Sequence, residues 1–384
     1  MNTGLNVEAL EYFNEVTEDP CREARLWKEK TDGRVIGFLL TDVPEELIHA
    51  AGFFPYGISG GKKWLSLSDA HLQTWTCSYI RSSFAMALGG EYDFFDGLVI
   101  PQRCDESRMV MGIWKNQRPL ALMDNFRPLR QVGRPSANRY FLRELDRFKK
   151  GLEGLRGSEI TDEELKESIK LYNSNRDLLS RLFDLHRRDP SLISSKELYN
   201  IVVASMIIPR DKLNEKLTSL LGTLKPNPES EANGKIKIFI SGTFLEPLEI
   251  ADFIEETGGV VVGDDLKNGS RYFDGNVAEE GDLMQNLVDR QVKKMPSASF
   301  DDFANPRSDY LVNTARGNGA DGVLLLHLKY CEPENYDYLD MKTALEEAGI
   351  PVQKLETEFG QTSLGQLQTR VQAFMEMLGG VDLV

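Results

Sequence analysis

The sequence predicts an α/β protein in which two parallel-sheet domains face one another across a cleft, joined by a helical connecting region. Three observations carry that expectation. Short apolar runs alternate with helical stretches in the first and last thirds of the chain, whereas the middle is charged, helical in pattern and free of strands. Lys225–Asn233 (KPNPESEAN) has the composition of a linker. At 384 residues the chain also exceeds one typical domain. The expected divisions are an N-terminal α/β domain over 1–135, a helical region with its linker over 136–233, and a C-terminal α/β domain over 234–384.

Taken in order, Val7–Lys30 is charged and helical in pattern, and Arg34–Leu40 is an apolar run fit for a buried strand. Thr41–Glu46 joins a capping residue, a proline and early acids, so a helix begins there, runs to Ala51 and stops at Gly52. Phe53–Ile58 leads into Gly60-Gly61, and a helix over Ala70–Leu88 carries Cys77 and ends at Gly89-Gly90. Phe94–Ile100 is a buried strand with Cys104 just past its end, and Leu120–Asp124 is another. From Ser136 to Lys225 the pattern is helical. Beyond the linker, strands are expected at Lys235–Ser241, Gly259–Val262, Gly322–Leu328 and Pro351–Glu356. Helices are expected at Glu246–Thr257, Asp282–Lys294, Asp309–Arg316, Lys342–Ala348 and Leu364–Leu378.

The two halves correspond. Asp96–Ile100 (DGLVI) leads to Cys104, and Asp321–Leu325 (DGVLL) leads to Cys331. Each cysteine thus follows the carboxyl end of a buried strand, the edge where open α/β sheets place ligands. Two domains meeting by these edges would each contribute a cysteine to the cleft.

Composition narrows the function. A formal charge of −15 argues against coating nucleic acid, because phosphate binding needs clustered Lys and Arg. The basic stretches Arg127–Arg134 and Arg139–Lys150 are short and mixed, as solvated helix faces are. The N-terminus lacks the regions of a secretory signal, and no apolar run approaches the roughly 20 residues of a membrane-spanning helix. Four cysteines, Cys21, Cys77, Cys104 and Cys331, are too few for a disulfide framework, so a cytoplasmic location is expected. In a reducing compartment they are either small buried hydrophobes or metal ligands.

Other motifs carry less. Gly317–Gly322 has the G-x-G-x-x-G pattern but precedes its strand, and so reads as a helix end and turn. Gly57–Lys63 is glycine-rich and basic without phosphate-loop register; a CoA-phosphate cradle and a plain turn both remain open. His49, His71, His186 and His327 show no metal spacing, although His327 precedes Cys331 by four residues and a zinc site from three cysteines and His327 is conceivable. Asp264-Asp265 reads as a cap or a cation site, and Cys21 as a packed cysteine.

Several stretches together resemble the 2-hydroxyacyl-CoA dehydratase and benzoyl-CoA reductase superfamily along nearly the whole chain. They are Val43–Gly52 (VPEELIHAAG), Cys77 within CSYIRSS, Cys104–Ser107 (CDES), Asp264–Phe273 (DDLKNGSRYF) and Tyr330–Pro333 (YCEP), with Gly349–Glu356 and Gln366–Phe374 completing the set. The resemblance implies two Rossmann-like domains with one four-iron, four-sulfur (4Fe-4S) cluster between them, held here by Cys77, Cys104 and Cys331. Clusters usually take four cysteines. With no fourth well placed, one iron would keep an open position. A single cluster and a share in a double cluster are both compatible with the resemblance.

The family's chemistry adds one electron to a thioester carbonyl, giving a ketyl radical anion at a potential below ordinary reductants. Each shortfall of about 59 mV costs tenfold in a one-electron equilibrium. The resemblance therefore implies a separate ATP-hydrolysing iron–sulfur activator, a homologous second subunit and an acyl-CoA or aroyl-CoA substrate. This chain lacks a phosphate loop and would be the recipient of the electrons. The leading expectation is a subunit of the ring-reducing benzoyl-CoA reductase type. The alternatives are an (R)-2-hydroxyacyl-CoA dehydratase subunit and a non-catalytic electron-relay subunit. Glu46 and Ser59 are the expected catalytic helpers.

Overall fold

A computed structural model describes residues 4–380, except 62, 64, 226–233, 299, 301–305 and 361–362. The expected linker, beyond Lys225 itself, and Lys62 of the glycine turn lie outside the described residues. The chain opens with helices α1 (Gly4–Glu18) and α2 (Arg22–Thr31), then β1 (Val35–Leu39), α3 (Glu45–Ala50), β2 (Phe54–Ile58), α4 (Leu65–Ser68) and α5 (Ser78–Leu88). There follow β3 (Gly97–Val99), α6 (Asp105–Gln117), β4 (Leu122–Asp124), and the helices α7 (Pro135–Arg156), α8 (Asp162–Arg188), α9 (Ser195–Ser205) and α10 (Arg210–Thr223). The second α/β part comprises β5 (Ile236–Gly242), α11 (Glu249–Glu256), β6 (Gly259–Asp264), α12 (Ser270–Phe273) and α13 (Leu283–Lys293). It ends with α14 (Arg307–Gly317), β7 (Gly322–Leu328), α15 (Glu332–Glu347), β8 (Val352–Thr357) and α16 (Leu364–Leu378).

Both sheets are wholly parallel and share one strand order, β2-β1-β3-β4 and β6-β5-β7-β8. Alternation along each central strand buries both faces. Val35 and Leu39 face a core with α1, α9 and α10, whereas Ile36 and Phe38 face another with α3, α7 and α8. In the second sheet Ile238 and Ile240 pack on α11 and α16, and Phe239 packs with α14 and α15. The helical middle is therefore part of the first sheet's cores. Val277, Leu283, Leu287, Val288 and Phe300 also join the core under α3 and α7, although they follow β6 in sequence.

The architecture is the expected one, two Rossmann-like lobes with an intervening helical region, and the differences lie among the helices. Val7–Lys30 is two helices, because Pro20 supplies no N–H for a continuous one. The expected helix Ala70–Leu88 begins only at Ser78. Ahead of it, Thr74 and Thr76 sit in turns, and their β-branched side chains favour a helix only weakly. Helix α6 has no counterpart among the expected elements, and α15 begins ten residues before the expected Lys342.

Candidate functional site

Three crossover helices start at cysteines. Cys77 is the N-cap of α5, Cys104 of α6 and Cys331 of α15. Cys104 takes the place usually held by Ser or Thr in a capping box: its Sγ accepts from Ser107 N at 3.4 Å, while Ser107 Oγ accepts from Cys104 N at 3.1 Å. Cys331 follows Tyr330, whose φ of 65° turns the chain sharply out of β7, and its Sγ lies 3.7 Å from Thr243 Oγ1.

All three cysteines line one cavity of about 50 Å³, several times what a single water needs. Its walls come from both lobes: Leu40, Tyr79 and Arg103 from the first, Thr243, Phe244 and Lys267 from the second. Leu40 follows β1, Cys104 follows β3, Thr243 follows β5 and Cys331 follows β7, so the two sheets meet by their carboxyl edges, each at its topological switch point.

Burial pushes all three thiols up, Cys104 to about 11 and Cys331 to about 12. Cys77 is raised well above its ordinary value, first by burial and then by Cys331 and Cys104, so the three sulfurs lie within electrostatic reach of one another. Thiols so placed stay protonated at neutral pH unless a cation stands against them. The partial positive charge of three helix N-termini, with Arg103 and Lys267 in the wall, favours an anionic occupant. Both cations are anchored by buried Asp42, which accepts from Arg103 Nε at 3.0 Å and Lys267 Nζ at 3.2 Å. Burial alone would raise the Asp42 carboxyl, but Arg103, Lys267 and Lys294 hold it far below the usual carboxylate range.

Among the described residues no three His, Cys, Asp or Glu side chains converge on a single ion. His327 does not join the cysteines; it is buried in β7, edge-on to Tyr338 with ring centroids 5.2 Å apart. The zinc alternative thereby loses its fourth ligand. A multi-iron cluster makes a different demand, since each thiolate binds its own iron and the sulfurs stand farther apart. Three soft donors around one cavity, backed by positive helix ends, fit such a group.

Ser59 lies elsewhere, in a larger pocket of about 280 Å³ beside the glycine turn. Leu40, Tyr79 and Phe244 line both spaces and so form the wall between them. Leu40 has φ 60°, and its N–H donates to Tyr79 Oη at 3.1 Å while Tyr79 donates to Ile58 O at 2.6 Å. Phe359 completes an aromatic group with ring centroids 4.6 Å (Tyr79–Phe244), 5.5 Å (Tyr79–Phe359) and 5.9 Å (Phe244–Phe359) apart. Glu46 lines neither space; it is buried and paired with Arg176, Oε1 to Nη1 at 2.7 Å. Asp264 is a cap, accepting from Leu266 N, Ser270 N and Tyr199 Oη. Sequence reasoning missed Thr243, Phe244 and Lys267. The one signal available was their place just past β5 and β6, equivalent to the position of Leu40 past β1.

Two like-ordered parallel sheets closed edge to edge over three cysteines define a two-lobed α/β protein with a thiol-lined cleft. A family profile described as "2-hydroxyglutaryl-CoA dehydratase, D-component" matches residues 40–378, and the chain belongs to that family. It is 33% identical to a benzoyl-CoA reductase subunit of Thauera aromatica over 81% of this chain and 82% of that one. It is 29% identical to the (R)-phenyllactyl-CoA dehydratase beta subunit of Clostridium sporogenes, covering 95% and 97%. The (R)-2-hydroxyglutaryl-CoA dehydratase subunit beta of Acidaminococcus fermentans is 30% identical, covering 96% and 98%. These relatives are enzyme subunits, of both kinds that the sequence pointed to. No helix among the described residues is long and apolar enough to cross a membrane.

Proposed function

We propose that this chain is the iron–sulfur subunit of a radical acyl-CoA enzyme, with a 4Fe-4S cluster held by Cys77, Cys104 and Cys331. The observation that carries this reading is the gathering of three sequence-distant cysteines at one interlobe cavity. In the same reading the chain works beside a homologous second subunit, and a separate ATP-hydrolysing iron–sulfur protein primes it. Its four free cysteines suit a reducing cytoplasm.

When bound, the cluster supplies single electrons to the thioester carbonyl of a CoA substrate. The chain's own residues position and exclude. Leu40, Tyr79 and Phe244 separate the cluster cavity from the larger pocket and keep water from the space between. The Ser59 hydroxyl makes one hydrogen bond among the described residues, a 3.5 Å donation to Gly60 O, and can turn from it toward a substrate oxygen. Glu46 acts at a distance: its pairing with Arg176 supports a positioning role, fixing the turn after β1 that carries Leu40 and Asp42.

The aromatic group of Tyr79, Phe244 and Phe359 suits a flat ring and supports the ring-reducing, benzoyl-CoA reductase type of reaction. A second reading, dehydration of an (R)-2-hydroxyacyl-CoA, is favoured by the nearly full-length match to dehydratase beta subunits. Anaerobic purification with the partner subunit, iron and sulfide analysis, and electron paramagnetic resonance with benzoyl-CoA or phenyllactyl-CoA test these readings. A spectral change with benzoyl-CoA alone supports the reductase, and one with phenyllactyl-CoA alone the dehydratase. No change with either leaves an electron-relay subunit, and a protein without iron sinks the cluster assignment.

A further inference from the structure

The turn after β1 and the first residues of α3 carry three acids, Asp42, Glu45 and Glu46, and each is committed to a cation from elsewhere in the chain. Asp42 holds Arg103 and Lys267, Glu45 pairs with Arg210, and Glu46 pairs with Arg176. Beside this turn lies a cavity of about 20 Å³, lined by Glu45, Glu46, Arg176, Arg210, Arg290 and Lys294 among others. It has room for about one water-sized occupant.

Its charges do not balance. Glu46 and Glu45 pair with Arg176 and Arg210, which leaves Arg290 and Lys294, one turn apart at the end of α13, to longer-range carboxylates only: Glu46 and Asp274 act on Arg290, and Asp42 and Asp274 on Lys294. Arg290 donates to the carbonyls of Gly275 at 2.8 Å and Asp274 at 3.1 Å, and forms no ion pair among the described residues. Lys294 is 8% exposed and has neither a hydrogen bond nor an ion pair among the described residues. Nε of Arg176 and Nε of Arg210 are also buried without acceptors among those residues. Asp42 is already shared by Arg103 and Lys267, so the lining keeps an excess of positive charge that is costly to bury, and one negative occupant relieves it.

We propose that this cavity is an anion site that takes one chloride-sized inorganic ion, held by Lys294 and Arg290 at the junction of α3, α8 and α13. The class of ligand follows from size and sign: one small sphere fits where a phosphate or carboxylate does not, and four cations line the cavity against two carboxylates. Among the described residues the Thr41 and Tyr172 hydroxyls are further donors without an acceptor there, and Asn175 Oδ1 is the one lining acceptor without a donor. Burial, and Arg290 after it, pull the Lys294 ammonium down to about 7 against the opposing pull of Asp42 and Asp274, and a negative ion beside it would hold more of it charged at neutral pH. The site is separate from the three cysteines, and its occupancy does not depend on the proposed cluster.

The test uses the cluster-loaded chain with its partner, at neutral pH and constant ionic strength, comparing potassium chloride with potassium gluconate. The wild type is expected to show saturable broadening of the chloride-35 resonance and an unfolding temperature a few degrees higher in chloride. Lys294→Met and Lys294→Gln are expected to lose both effects, and Lys294→Met to unfold no earlier than wild type in gluconate, because it removes one of the cations in excess around the cavity. If the wild type shows no saturable signal, or if both variants keep it, the proposal is overturned. The wild-type measurement decides alone should a variant fail to fold.

Discussion

A cysteine at a helix N-cap offers its sulfur to the space ahead of the helix, and Cys77, Cys104 and Cys331 all do so into one cavity. Replacing any of the three by Ser is expected to lower iron per chain sharply. Cys21→Ser should leave iron unchanged, because Cys21 is buried against Tyr56, 3.7 Å from its hydroxyl. Iron and sulfide analysis of the four variants checks both statements. Glu46→Ala strands Arg176 in the interior and is expected to cost about 3–5 kcal/mol, read from anaerobic urea denaturation. The pH dependence has a definite sign. Burial pulls the Glu46 carboxyl up, but Arg176, with Arg290 behind it, outweighs burial and brings it from 4.5 to about 2. A depressed carboxyl stabilises the fold fully above its unfolded value and loses that contribution as pH falls from there through about 2. Between pH 6 and pH 3 the wild type should therefore lose more stability than Glu46→Gln.

At the scale of elements, the strand ends decide how closely the lobes approach the cavity. Gly242, with φ 147° at the end of β5, has no room for a side chain: a Cβ there would stand 2.1 Å from Leu326 O of β7. Gly242→Ala should push β5 and β7 apart beside Thr243, costing more than the usual 1–3 kcal/mol of overpacking, read as a lower urea midpoint. The strands themselves were legible in the sequence, because strands buried on both faces are written as apolar runs, and VIGFL and GVLLLHL have little else to be. The starts of α5, α6 and α15 were not legible. Capping signals are sought in Ser, Thr, Asp and Asn, and here the caps are cysteines, so the helices that aim the thiols were hidden by the residues of interest. Phe244 and Lys267 reach the cavity only because two sheets close on one another, and no local pattern records that closure.

For the whole molecule, the lobes are joined through buried charge as well as apolar packing. Asp42 of the first lobe grips its own Arg103 and Lys267 of the second, and Arg210 meets both Glu45 and Tyr272. Asp42→Ala takes the shared counter-charge from two buried cations at this junction, and the expected result is an opened molecule with a larger radius of gyration in X-ray scattering. Lys267→Met, which removes a cation and leaves the Asp42–Arg103 pair, should open it less. The sulfurs also differ in when they become available. Cys77 and Cys104 are translated early, whereas Cys331 follows the last but one strand. On the proposed ligand set, loading cannot be completed on a nascent chain until most of it has left the ribosome. Maturation would then act as a checkpoint, admitting only chains whose second lobe has already docked on the first.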